Sequence, residues 1–166
     1  RDGNEYDCVK IGSQIWMGKN LAYLPKVCPP EIGDYQTPHF YVYGYEGTSI
    51  EVAKQTSNYQ LHGVLYNWLA AFESCPDGWH LSNDDEWKDL EMFLGMDENS
   101  VNFGGDYRAV GEVGKKLKAT FGWTQNGNGD NSSGFSSLPS GTRYRNGVFC
   151  LKDTLAFYWT SETSSL

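Results

Sequence analysis

The chain predicts an α+β fold: two amphipathic helices packed on antiparallel sheet, joined by long irregular loops. Three observations predict it. Residues 62–73 and 75–95 each carry helical periodicity with one apolar face. Short β-prone runs bounded by Gly-Ser and Asn-Gly turns fall toward the two ends of the chain. Helical and extended runs are segregated rather than alternating, the pattern of an antiparallel rather than a parallel sheet.

The first element is a hairpin. Residues 6–11 alternate well enough for a strand, Gly12-Ser13 offers a tight turn, and Gln14-Ile15-Trp16-Met17 returns. Trp16 reads as core. Residues 25–60 are rich in proline and tyrosine and have no clear period. Phe40 to Tyr43 is the one strand-like run, and the rest reads as a long loop of the functional or tied-down kind.

Residues 62–73, HGVLYNWLAAFE, predict one helix with an apolar stripe of Val64, Leu65, Trp68, Leu69 and Phe72. In CPDGWHLSNDDEWKDLEMFLG (75–95), Pro76-Asp77-Gly78 is a turn. Trp79-His80-Leu81 reads as a buried, strand-like link. Ser82 with Asp85, or Asn83 with Glu86, frames a capping box. Asp84, Asp85 and Glu86 put negative charge where the helix dipole favours it. Trp87, Leu90, Phe93 and Leu94 share a face, and Gly95 is the stop. His80 stands alone between apolar residues and reads as structural, since no partner sits at metal-ligand spacing.

Residues 96–134 have little periodicity. Lys115, Lys116 and Lys118 form the only basic cluster and read as a solvated face. After Trp123 comes Gln125-Asn126-Gly127-Asn128-Gly129-Asp130-Asn131-Ser132-Ser133-Gly134. Its side-chain oxygens could serve calcium, with Asp130 and Asn131 as the ligands, but its acidic density is low for a site that wants six to eight oxygens. Turns capped by Asn and Asp side chains are the expected reading. Asn146-Gly147, flanked by Arg143-Tyr144-Arg145 and Val148-Phe149-Cys150, signals a type I′ hairpin. Residues 154–161, TLAFYWTS, read as a central strand.

The 166 residues suit one domain, and aromatics at 15% and 19 glycines suit an ordered, loop-rich extracellular module. A net charge of -8 argues against nucleic acid and against docking on anionic lipid. No apolar run is long enough to span a membrane. Cys8, Cys28, Cys75 and Cys150 contain no CxxC pair, so two disulfides in an oxidising compartment are expected. Three connectivities are open; the expected one pairs Cys28 with Cys75 and Cys8 with Cys150. The chain opens at Arg1 as a trimmed mature fragment would.

Five segments, RDGNEYDCVKIGSQIWMGKNL (1–21), HGVLYNWLAA (62–71), CPDGWHLSNDDEW (75–87), GKKLKATFGW (114–123) and GFSSLPSGTRYRNGVF (134–149), together resemble the Fibrobacter succinogenes major paralogous domain. FYWTSE (157–162) is similar to its late strand. The resemblance covers most of the chain and makes residues 1–166 a single such domain. It implies a C-type-lectin-like fold, shared with sulfatase-modifying enzymes. It also implies display outside a Gram-negative cell, secreted or anchored to the outer membrane as a lipoprotein. Family members commonly continue into a further segment with its own cysteine. The strand that closes against residues 5–11 is therefore expected to be missing here or supplied by a partner chain. The calcium-bridging sugar motifs of true C-type lectins do not occur, and the family brings no defined catalytic residues.

Three functions follow as expectations. The first is a non-catalytic adhesion module that recognises glycan or a surface protein. Its candidate surface is Tyr107, Arg108, Trp123, Asn128, Asp130 and Arg143, side chains that stack on sugars or bond their hydroxyls. The second is a structural or assembly domain of a pilus or surface layer, completed by a donor strand. The third is an enzyme akin to the sulfatase modifiers. It is disfavoured because Cys8 and Cys150 lie in apolar strand contexts, Cys75 precedes proline, and no nucleophile–base set stands out.

Overall fold

A computed structural model describes residues 3–103, 108 and 111–162. In chain order its elements are β1 (Cys8–Ile11), β2 (Gln14–Met17), β3 (Phe40–Tyr41), α1 (Ile50–Gln55), α2 (Ser57–His62), β4 (Leu65–Tyr66), α3 (Trp68–Ser74), α4 (Asp84–Phe93), α5 (Glu98–Val101), α6 (Val113–Leu117), β5 (Ser140–Arg143) and β6 (Phe149–Lys152). The fold is mixed α and β. Among the described residues the strands form three two-stranded antiparallel sheets, β1–β2, β3–β4 and β5–β6. Antiparallel pairing is as expected; six helices in place of two are not. The chain groups into two compact units.

The first unit holds the described residues of Arg1–Glu5, Asn20–Leu81 and Pro139–Trp159. Its core is Leu24, Val27, Phe40, Val42, Ala53, Tyr59, Val64 and Ala70. The expected helix over 62–73 is the last residue of α2, the short strand β4 and then α3. Gly63 adopts φ 72 and ends α2, then Asn67 accepts from the Ala70 N–H and starts α3 afresh. An asparagine inside an apolar period is a better cap than a helix interior residue. The buried residues of α3 are Ala70, Ala71 and Ser74, while Phe72 of the expected stripe is exposed. Small residues let the helix backbone approach closely, which the stripe could not.

The expected loop over 25–60 contains α1 and α2. Ser49 and Thr56 cap them through bonds from the Val52 and Tyr59 N–H groups. Residues 79–81 are not a buried strand, and His80 is exposed. The Asn-Gly hairpin forms with a different turn. Gly147 N–H donates to Tyr144 and Tyr144 N–H to Val148, and only Gly147 is left-handed, at φ 85. That is a three-residue loop with a glycine bulge, not type I′, which needs both central residues left-handed. Residues 154–161 join no ladder, and Phe157, Tyr158 and Trp159 are exposed. High β-propensity builds no strand where no neighbouring strand pairs with it.

The second unit holds the described residues of Tyr6–Lys19, Ser82–Leu138 and Thr160–Leu166. The β1–β2 hairpin turns at Gly12, φ 61, as expected. Asn83 and Glu86 form the capping box of α4 in both directions. Leu90 and Leu94 enter a core with Ile11, Met96, Val101, Val113 and Phe135, against which Trp16 and Trp87 pack. Phe93, expected on that face, is 65% exposed and lies beside Gly12 instead. The short helices α5 and α6 occupy a region read as loop.

Neither expected disulfide, Cys28–Cys75 nor Cys8–Cys150, is formed. Each cysteine follows its own element. Cys28 is buried with its N–H on the Phe40 carbonyl, Cys75 ends α3 with its thiol facing the Ala71 carbonyl, and Cys8 is exposed at the start of β1.

Candidate functional site

The best-built exposed loop is residues 118–136 of the second unit, and its shape follows from the end of α6. A helix leaves its last carbonyls unpaired. Here the chain turns back and pairs them: Asp130 N–H bonds Lys115, Ser133 bonds Lys116 through both N–H (3.2 Å) and hydroxyl (2.7 Å), and Ser137 N–H bonds Leu117. Gly129 N–H adds a bond to Ala119.

Side chains then fix the loop internally. Asn128 Oδ1 accepts from the Trp123 N–H at 3.0 Å. Gln125 and Asn126 are both left-handed, at φ 55 and 59, in a turn closed by Gly127 N–H on Thr124. Asn131 bonds Ser136 twice, accepting from its N–H and donating to its hydroxyl. Asp130 accepts from the Ser132 N–H at 3.0 Å, and that bond holds its carboxyl below the usual range. Asp130 and Asn131 thus direct oxygens at their own backbone. Among the described residues no three of His, Cys, Asp and Glu are placed to hold a metal ion together.

Trp123 is the centre of this loop. Its indole N–H donates to Ser137 at 3.1 Å, and Lys118 Nζ lies 4.3 Å from the ring centroid. The ring is half-buried, so its orientation is set from three sides while part stays open. Phe121 beside it is exposed. Such a ring can stack on an apolar C–H face.

The other expected site residues divide. Arg108 is no ligand-facing group. Its Nη1 bonds Asp84 Oδ1 and its Nε meets Glu91 Oε2, both at 2.7 Å, which ties it to α4. Tyr107 lies outside the described residues. Arg143 belongs to the first unit, where Nε and Nη2 bond the Pro30 carbonyl and the guanidinium covers the Tyr41 ring at 4.5 Å. Trp123, Asn128 and Asp130 do come together in one loop. Lys118 was missed, because a lysine five residues before a tryptophan signals nothing until the loop folds back. The lysine cluster is not simply solvated: Lys116 Nζ bonds the Leu94 carbonyl at 2.6 Å.

These features define a mixed α/β domain with an ordered loop folded back on α6 and fixed around one tryptophan. The chain belongs to the Fibrobacter succinogenes major domain family, whose model matches residues 9–166. No curated protein and no solved structure matches the chain.

Proposed function

We propose that this domain is a non-catalytic extracellular binding module that recognises glycan through the Trp123 loop, on a C-type-lectin-like scaffold. The observation that supports this reading is the fixed, half-open indole of Trp123 with Lys118 on its face. Preorganised aromatic rings lose little entropy on binding, which is what a weak, hydroxyl-rich ligand requires. The setting proposed is the surface of a Gram-negative cell, secreted or anchored.

Glycan-array binding followed by titration of Trp123→Ala tests it. The expected result is binding of neutral oligosaccharides, weakened about tenfold or more in the variant, on the scale of one lost aromatic contact. Binding that Trp123→Ala leaves unchanged would refute the role of this loop.

A second reading, an assembly domain of a pilus or surface layer, is favoured by the exposed run Phe157-Tyr158-Trp159. Contiguous apolar exposure of this kind marks surfaces covered by another protein. Cross-linking of the intact surface through residue 157 would capture a neighbouring chain if it holds.

A further inference from the structure

The first unit carries an ordered, exposed loop of its own. Loop 29–37 lies against the tip of the β5–β6 hairpin, where a β-carbon at Gly147 would stand 2.6 Å from the Pro30 carbonyl oxygen. The loop is exposed, yet side chains from below pin it at many points. Tyr41 hydroxyl donates to Ile32 at 2.6 Å, and Arg143 bonds Pro30 and Ile32. Asn67 Nδ2 donates to the carbonyls of Asp34 and Thr37, and buried His39 presents Nε2 to Asp34 and Thr37. An exposed loop ordered to this degree is a platform, not a tether.

What the platform displays is Tyr35, 68% exposed, with the Arg145 guanidinium 4.9 Å from its ring centroid. Among the described residues Arg145 makes no ion pair, in a chain whose net charge is -8. A guanidinium resting on an aromatic ring keeps its in-plane N–H edge for a planar, bidentate acceptor, which is the geometry of a carboxylate. The loop's own Asp34 does not compete. Its Oδ1 accepts from the N–H groups of Gln36 and Thr37, and its Oδ2 faces His39. Glu31, whose Cα lies beside Gly147, and the ionised Asp34 are the two carboxylates of the loop that repel an anion.

The geometry points to a second binding site at Tyr35 and Arg145 for a carboxylated sugar, with Arg145 gripping the carboxylate and Tyr35 meeting the pyranose ring. The inference rests on the glycan reading but not on the Trp123 loop.

Titration calorimetry of the whole domain with oligogalacturonate, sialyllactose, a neutral cello-oligosaccharide and polyglutamate tests it. One or both carboxylated sugars should bind, and binding should weaken as salt is raised. Arg145→Gln should cost about tenfold, Arg145→Lys nearly as much because the planar fork is lost, and Glu31→Gln should tighten binding. Tyr35→Phe should retain affinity and Tyr35→Ala should lose it, while Trp123→Ala should leave carboxylated sugars unaffected. Glu31, Tyr35 and Arg145 are exposed loop positions, so folding is not at stake in their variants. Carboxylated sugars that fail to bind while the neutral one binds would overturn this site alone. Failure of every sugar would overturn the glycan reading with it. Polyglutamate binding as tightly as the sugars, with Tyr35→Ala silent, would replace the sugar by an acidic peptide and also overturn it.

Discussion

Gly129 lies so close to Lys118 that a β-carbon on the glycine would stand 2.6 Å from the lysine's own β-carbon and would overlap the carbonyl oxygens of Lys115 and Lys118. The returning loop closes on α6 only because nothing projects there. Gly129→Ala should therefore cost about 2–3 kcal/mol, the range for forcing an atom into a packed site. Gly114, inside α6 with nothing within 4 Å of a built β-carbon, is the control. Gly114→Ala should raise stability by roughly 0.5 kcal/mol through helix propensity. Urea unfolding of the two variants reads the opposite signs.

The α4 start is governed by one reciprocal pair. Asn83 accepts from the Glu86 N–H at 2.7 Å, and Glu86 accepts from the Asn83 N–H at 2.8 Å. Asn83→Ala removes the side-chain half and should destabilise by about 1 kcal/mol. Asn83→Asp keeps the acceptor and should stay within a few tenths, although the acidic residues that follow it limit any gain. Thermal melts followed at 222 nm distinguish the two.

That capping box was legible from the chain alone as one of two frames, the other being Ser82 with Asp85, and so were the β1–β2 hairpin and the existence of a turn at Asn146-Gly147. The capping box and both turns depend on residues within four positions of each other, where spacing is geometry, and the hairpin ladder follows from its turn. What was not legible depends on distant partners. The run 154–161 has strand-like residues but joins no ladder among the described residues, although Leu155 accepts from the Gly141 N–H of β5. The 62–73 period ignored Gly63 and Asn67, which divide it. Trp123, Asn128 and Asp130 were recognisable as one polar loop because they are local. Arg143 and Pro30 meet across 113 positions, Arg108 and Asp84 across 24, and no spacing rule announces either. An arginine read as surface chemistry is, in both places, holding backbone or carboxylate inside its own unit.

Asp34 gives a pH signature. Bonds from the Gln36 and Thr37 N–H groups, in that order, with smaller help from His39 and Thr37 side chains, pull its pKa from an ordinary 3.8 to about 2. A carboxylate depressed on folding contributes stability that is complete above its unfolded pKa and lost as pH falls through the folded one. Ordering of loop 34–37 should therefore weaken between about pH 4 and pH 2. Carboxyl-carbon NMR titration should place the Asp34 midpoint near 2. Asp34→Asn should lose this dependence and loosen the loop at neutral pH as well. A midpoint at the ordinary value would contradict the bonding described.

Arg108 decides between a surface and a structural role. It bridges Asp84 and Glu91, whose side chain is only 14% exposed. Burial pushes the Glu91 carboxyl up, Arg108 pulls it back, and the Nε–Oε2 contact at 2.7 Å is ionic rather than an aligned hydrogen bond. Arg108→Ala leaves that carboxylate without its cation in a poorly hydrated place. The cost should be about 2 kcal/mol, below the figure for a fully buried pair because Arg108 keeps some contact with water. The sign with pH follows. A carboxyl raised on folding supports the fold below its unfolded pKa and loses that support as pH rises through the folded one, and removing the arginine raises it further. The variant's deficit should thus be larger at pH 7 than at pH 4, and Glu91→Gln in the same chain should recover part of it. A deficit that is flat with pH, or a loss of ligand binding with stability unchanged, would return Arg108 to the surface.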